Sequence, residues 1–403
     1  MVKKRIMKKR LSLIIIMLIC SMGLSGQGIT EYLNIVAGNN PDIIAYGKLL
    51  EARKLEARTG IAPPDPFVTY GYMPERADRT LAKKTWSVTQ SFSFPTKYIT
   101  QNRISKDKII LAEQEFDLVR LNILLNAKLL LYDLIFNQKT LEILGQRKEL
   151  YDRLKAGWQK MLDAGETTIL DYNKILYEFS ALYLRISRTE TEISILKEKL
   201  LYMSGNKSGL PVLSEYPGIP DADFEKILTE KSIIHPSFLL PESEYRISLG
   251  EAKLSRSGSL PEFQAGYASE IVPGESFTGP VAGITIPIWS NSKKIKTANA
   301  MADHQAAARD AKLLELKTQA RSQYENMTSL KISISEIREL IISGEGNRYL
   351  ELALSSGEIS LTDYFLYLET SFQTEDRLLE LEYEYNRLAA GLYDHELLNQ
   401  PAR

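Results

Sequence analysis

Between residues 85 and 94 the chain reads TWSVTQSFSF, and apolar and polar positions alternate. Trp86, Val88, Phe92 and Phe94 share one face, interrupted only by Gln90; Thr85, Ser87, Thr89, Ser91 and Ser93 share the other. A period of two marks an extended strand whose faces meet different surroundings. The pattern returns in VAGITIPI (281–288), with Ala282, Ile284, Ile286 and Ile288 on one side and Gly283 and Thr285 on the other. A second extended run precedes each, PFVTYGY (66–72) and PEFQAGYASEI (261–271). Two strand hairpins are predicted, at about 66–94 and 261–288, the second turning around PGESFTG. Four strands are few for a core. A face rich in Ser and Thr rather than charge suits a membrane barrel, apolar outside and small-polar inside. Tyr70, Tyr72, Trp86 and Trp289 fall near the predicted strand ends, where an interfacial aromatic belt would lie. A small soluble β-domain with its apolar face in a core is the alternative.

Long helical stretches follow each hairpin. Ile288 to Ser343 holds no Gly and no Pro, and about 56 such residues would rise roughly 84 Å. The first stretch runs unbroken from Thr96 to Leu144 and then passes Gly145 and Gly157 on the way to Ala164. Average helices hold roughly a dozen residues, so these read as coiled-coil-like rods. Residues 109–136 carry more than one apolar stripe (Ile109, Leu111, Phe116, Val119, Leu121, Ile123), which suits a helix packed on both flanks. Shorter helices are expected at about 42–59 and 238–256.

Each rod ends in the same motif, MLDAGETTILDY (161–172) and ALSSGEISLTDY (353–364). Gly165 and Gly357 suit the left-handed turn that closes a helix. Thr167 or Thr168, and Ser360 or Thr362, can cap a returning helix. Glu166 and Glu358 suit its positive end, and Asp171 and Asp363 fall on one face of its first turns. The motif therefore reads as a helical-hairpin tip, with helices returning over about 168–203 and 360–396.

The two tips are 192 residues apart, as are Phe94-Pro95 and Ile286-Pro287. Gly71-Tyr72 and Gly266-Tyr267, and Asn40-Pro41 and His235-Pro236, are offset by 195. Ordered landmarks at a fixed spacing indicate a tandem repeat. The first repeat is placed at 27–203 (strand hairpin 66–94, helical hairpin 96–203, tip 163–171). The second is placed at 224–396 (strand hairpin 261–288, helical hairpin 289–396, tip 355–363). A Gly/Pro-rich linker occupies 204–223, and a short tail 397–403.

The amino terminus changes the compartment. Six basic residues, a short apolar run from Leu11 to Ile19, and small residues to Gly26 read as a secretory signal peptide, residues 1–26, with a membrane anchor as the alternative that the shortness of the run disfavours. Lipid attachment at Cys20 would need a small residue before it, and Ile19 stands there. Loss of the signal takes the formal net charge from −1 to −7 and removes the one cysteine. An acidic exported chain is a poor nucleic-acid binder and can form no disulfide. No catalytic constellation is found. The three histidines, His235, His304 and His395, have no metal-ligand spacing, GESFTG is no nucleophile elbow, and no phosphate loop is present. No enzyme activity, cofactor or metal site is expected.

Strand hairpin, long rod, Gly-Glu tip and return, duplicated behind a signal peptide, resembles the TolC family of outer-membrane efflux channels. The resemblance rests on the strand-to-helix junctions SFSFPTKY and ITIPIWSNSKK, with Pro95 and Pro287, on the tips DAGETTILDY and SSGEISLTDY, and on the Asn-Pro and His-Pro steps. The FSFPTKY junction and the missing lipobox are most similar to the heavy-metal efflux subgroup. The resemblance implies an α+β, mainly α fold: a trimeric outer-membrane β-barrel of four strands per protomer, continued by a long periplasmic helical barrel. It implies a passive exit channel of a tripartite efflux or type I secretion system in a Gram-negative outer membrane. Its partners would be two further copies, outer-membrane lipid, a periplasmic adaptor and, through it, an inner-membrane pump of the RND type. Gly165, Glu166, Thr168, Asp171, Gly357, Glu358, Ser360 and Asp363 would dock the adaptor, and Asp171 and Asp363 would ring the pore mouth. Two departures stand out: Met161 and Ala353 occupy positions that are often basic in the family, and the short tail implies a small equatorial collar. A periplasmic adaptor, or a coiled-coil envelope scaffold, is the competing reading.

Overall fold

The computed structural model of the chain describes residues 28–74, 82–206, 210–211, 213–287, 292–343 and 346–399. The predicted signal, Cys20, Ile288, Trp289, four linker positions and the end of the tail lie outside them. The elements are α1 (28–39), α2 (Pro41–Glu56), β1 (Phe67–Pro74), β2 (Ala82–Phe92), α3 (Pro95–Asp163), α4 (Ile169–Met203), α5 (Phe224–Ile234), α6 (Pro236–Ser257), β3 (Glu262–Val272), β4 (Glu275–Thr285), α7 (Ser292–Ser343), α8 (Gly346–Ser355) and α9 (Leu361–Leu392). A 3₁₀ turn, Asp394–Asn399, follows.

The chain divides into two compact units. Among the described residues the first comprises those within 28–45, 119–231 and 318–399. Its core is a stripe on α3 (Leu121, Leu124, Leu131, Ile135) packed against Tyr32, Leu33 and Val36 of α1 and Leu196 and Leu200 of α4. The spacing of that stripe is helical, and each fully buried leucine contributes on the order of 2 kcal/mol. The Tyr32 hydroxyl donates to the Leu200 carbonyl at 2.5 Å. Asn40 caps α2 by accepting from the amides of Asp42 and Ile43, and its amide donates to the Met203 carbonyl at 3.0 Å. A second cluster joins Leu144 and Tyr151 of α3, Ile175 and Leu182 of α4, and Tyr364, Phe365, Leu368 and Phe372 of α9.

The second unit comprises residues 46–118 and 232–317. It holds the sheet and the helices that flank it in sequence. Here Arg53 pairs with Glu115, Lys54 with Glu113 at 3.1 Å, Arg246 with Asp107, and Arg309 with Glu242 at 3.1 Å. These mostly exposed pairs add little individually. His235 caps α6, its Nδ1 accepting from the Ser237 amide at 3.1 Å, and Pro236 takes the first helical position. Asn40-Pro41 and His235-Pro236 thus perform one task with different side chains.

The sheet is an antiparallel meander, β1-β2-β3-β4. Three expectations need correction. The second hairpin turns on Pro273-Gly274 alone, because Val272 pairs with Glu275 and Gly274 takes φ 89°. A Pro-Gly pair supplies the fixed and positive φ values of a two-residue turn, so Glu275–Gly279 joins the ladder. Trp86 lies mid-strand, opposite Tyr70, because β2 begins at Ala82. The last long helix stops at Leu392 rather than near 396. The buried Lys231 ammonium donates to the carbonyls of Gly391 and Leu392 at 3.1 and 3.2 Å and pairs with Asp394 at 2.8 Å, so the helix end is satisfied there.

Candidate functional site

The register assigns the sheet faces. Opposed residues in an antiparallel ladder point the same way. One face carries Val68 and Val88 with Tyr267, Tyr70 with Trp86, and Phe92 with Phe263 and Ile284. These side chains are exposed; Tyr70 is 70% and Ile284 57% accessible. The other face carries Thr69, Ser87, Thr85 and Thr89, with the Thr69 and Ser87 hydroxyls 2.6 Å apart. The separation along β2 is broken by Lys84 and Gln90 on the apolar face, and it is incomplete on β1 and β4, where Phe67, Met73, Phe277 and Val281 share the hydroxyl face. Both outer strands, β1 and β4, have an unpaired edge among the described residues. An open apolar sheet of this kind exposes backbone groups and aromatic surface that invite pairing and burial.

The FSFPTKY junction has a physical basis. Pro95 opens α3, where its missing N–H costs nothing, and the Lys97 amide donates to the Phe94 carbonyl at 2.9 Å. The Lys97 ammonium reaches Ser93 Oγ at 2.9 Å and Glu262 at 3.1 Å, and Ser93 donates to Glu262 at 3.0 Å. The Ser93 amide donates to the Tyr98 hydroxyl at 2.9 Å. One cluster therefore ties the end of β2, the first turn of α3 and the start of β3. Pro287 precedes α7, with residues outside the description between them.

The two tips share their closing and capping bonds, and the second adds a bond from the Ser360 amide to Asp363 that completes a capping box. At the first, the Glu166 amide donates to the Met161 carbonyl at 2.8 Å and Gly165 to Leu162 at 3.0 Å. At the second, Glu358 donates to Ala353 at 2.9 Å and Gly357 to Leu354 at 3.2 Å. Both glycines have φ 75°, and both turns are Schellman closures. Thr168 caps α4 and Ser360 caps α9, each accepting from the amide three residues on. Each hydroxyl also donates to the carboxylate of Asp171 or Asp363, at 2.6 Å. Such caps are worth about 1 kcal/mol each. The aspartates thus serve the caps, while Glu166 and Glu358 are exposed. Apolar side chains also stand exposed nearby, Leu170 at 77% on the first hairpin and Leu366 at 65% on the second. Met161 and Ala353, where a basic residue was missed, supply the carbonyls that accept the closing bonds.

The sequence reading overlooked Arg147. Its side chain is 5% exposed, with Asp376 at 2.9 Å, Glu375 at 3.1 Å and the Phe372 carbonyl at 3.0 Å. Its guanidinium lies over the Phe372 ring, 4.2 Å from the centroid. Arg185 reaches the same Asp376 at 2.7 Å. Burial raises the Asp376 carboxyl, but hydrogen bonds from the two guanidinium groups outweigh burial and hold it below the usual carboxylate range. The available signal was positional: Leu144, Arg147 and Tyr151 follow the apolar stripe, so a cation was due inside the bundle.

Solved structures match this arrangement along nearly its whole length. The channel CusC matches with TM-score 0.78 and 14% identity, over 93% of this chain and 92% of that one. The fold is one carried by solved outer-membrane channels. The MtrE outer-membrane channel of Neisseria gonorrhoeae, in its open state, carries the same channel fold, with TM-score 0.73, 10% identity and coverage of 93% and 91%. The outer-membrane protein VceC of Vibrio cholerae does so with TM-score 0.71, 11% identity and coverage of 93% and 97%. No protein-family model and no curated protein matches the sequence. Among the described residues of this channel fold, no helix is long and apolar enough to cross a membrane, and no group of three or more His, Cys, Asp or Glu could hold a metal ion.

Proposed function

We propose that the chain is the outer-membrane exit channel of a tripartite efflux or type I secretion system. The observation that carries this reading is the four-stranded sheet, apolar on one face and open at both edges. A spanning sheet in lipid must close, since every backbone group needs a partner. Three copies would supply twelve strands and leave no edge. Removal of residues 1–26 would deliver the chain to the periplasm, and the repeats at 27–203 and 224–396 would each give one strand hairpin and one helical hairpin. The tips, through Gly165, Glu166, Thr168 and Asp171 and through Gly357, Glu358, Ser360 and Asp363, would meet a periplasmic adaptor. That adaptor would link the channel to an inner-membrane pump of the RND type. The channel itself would be passive, with no catalysis and no cofactor.

Three copies of Asp171 and Asp363 would form carboxylate rings at the mouth, which favour cations. Planar-bilayer recording tests both claims. The purified protein is expected to give discrete cation-selective conductance, and Asp363→Ala to move the reversal potential toward zero in a salt gradient. Absence of conductance counts against the channel. Conductance with an unmoved reversal potential keeps the channel and removes the ring.

A further inference from the structure

A cavity of about 280 Å³ lies within the first unit, between α1, α3, α9 and the 3₁₀ turn. It is at the small end of the range for ligand pockets, roughly 300–1,000 Å³. Leu33, Ala390 and Leu397 give it apolar walls. Lys128, Tyr132 and Glu396 give it three polar groups.

Among the described residues none of the three side chains makes a hydrogen bond or ion pair, and Glu396 is exposed. Tyr132 is 2% exposed. Its ring packs edge-on against Tyr216 and under the Lys128 ammonium, 5.9 Å from the centroid, yet its hydroxyl has no hydrogen-bond partner among the described residues. The Lys128 ammonium has no carboxylate within 4 Å among the described residues. Asp394, which bears on it electrostatically, is held by Lys231 at 2.8 Å. Burial lowers the Lys128 ammonium, while Glu396 and Asp394 oppose that effect. Glu396 makes no ion pair among the described residues, and its charge reaches both Lys128 and Tyr132. One cavity therefore presents the half-buried Lys128 ammonium, the Tyr132 hydroxyl and the exposed Glu396 carboxylate beside an apolar wall.

We propose that this cavity binds a free α-amino acid with an apolar side chain. The ligand carboxylate would accept from the Lys128 ammonium and the Tyr132 hydroxyl, its ammonium would donate to Glu396, and its side chain would lie against Leu33, Ala390 and Leu397. Opposite charges close together on a small apolar molecule are what the three groups complement. A neutral hydrocarbon would leave all three unmet, and a simple anion would leave Glu396 unmet. The site is built from one protomer and stands apart from the channel reading.

The test is calorimetric titration of the full chain in detergent with L-leucine, with 4-methylpentanoate (no ammonium) and with isoamylamine (no carboxylate). Leucine is expected to bind, and each half-ligand at least tenfold more weakly, since a hydrogen bond to a charged group is worth about that factor. Lys128→Met is expected to weaken leucine and 4-methylpentanoate and to spare isoamylamine. Glu396→Gln should do the reverse, and Tyr132→Phe should follow Lys128→Met more mildly. Circular dichroism checks that each variant remains folded, and the opposed patterns of the first two cannot arise from a shared folding defect. No heat from leucine at millimolar concentration overturns the proposal, as does equal binding of leucine and the half-ligands.

Discussion

Asp376→Ala is expected to destabilise the protein by about 3 kcal/mol, the scale for removing one partner of a buried ion pair. Arg147, 5% exposed, would keep Glu375 and the Phe372 carbonyl but lose its shortest carboxylate contact, and Arg185 would lose the one it has among the described residues. Guanidinium titration of the detergent-solubilised protein, followed by circular dichroism, reads the loss. Adding Arg147→Met should restore part of it, because no buried charge is then left uncompensated. A double variant as unstable as the single one would show that the charges are not the source.

The same pair sets a pH dependence. The folded Asp376 carboxyl titrates below its unfolded value of about 3.9, so its stabilisation is fully present above that pH. As pH falls below about 4, the unfolded chain takes up the proton first and the stabilisation drains away through the folded pKa. The Asp376→Ala protein should lack this component, and a wild-type slope retained in it would contradict the assignment.

Gly357→Val is expected to open the second tip. At φ 75° a β-branched residue costs on the order of 1–3 kcal/mol. The closing bond from the Glu358 amide to the Ala353 carbonyl should then exchange its hydrogen roughly tenfold or more faster, while sheet amides keep their protection. Gly165→Val should do the same at the Glu166 amide. Since the two tips share every closing bond, unequal responses would indicate that the neighbouring exposed side chains, Leu170 on one hairpin and Leu366 on the other, decide tip stability instead.

These effects also mark what could be read in advance. Period-two alternation located the strands, and the Gly-Glu motif located both tips down to Gly165 and Gly357, because turns and strand faces are local properties. Thr168 and Ser360 were each one of two candidate caps, and only backbone geometry chose between them. The tight Pro273-Gly274 turn was hidden by further polar residues that join the ladder. The pairing of Arg147 with Asp376 spans 229 residues, and no local pattern names a partner at that range. Lys231 at the end of α9 was missed for the same reason. The Tyr132 cavity depends on segments from α1, α3 and the carboxyl end meeting in space, which periodicity does not encode.

The central claim is that this open sheet closes with two further copies into a membrane-spanning barrel. Electron microscopy of the detergent-extracted protein tests it most directly. The account predicts a hollow particle with three-fold symmetry, released from the outer membrane only by detergent. A monomer, or a particle released by buffer alone, would contradict it.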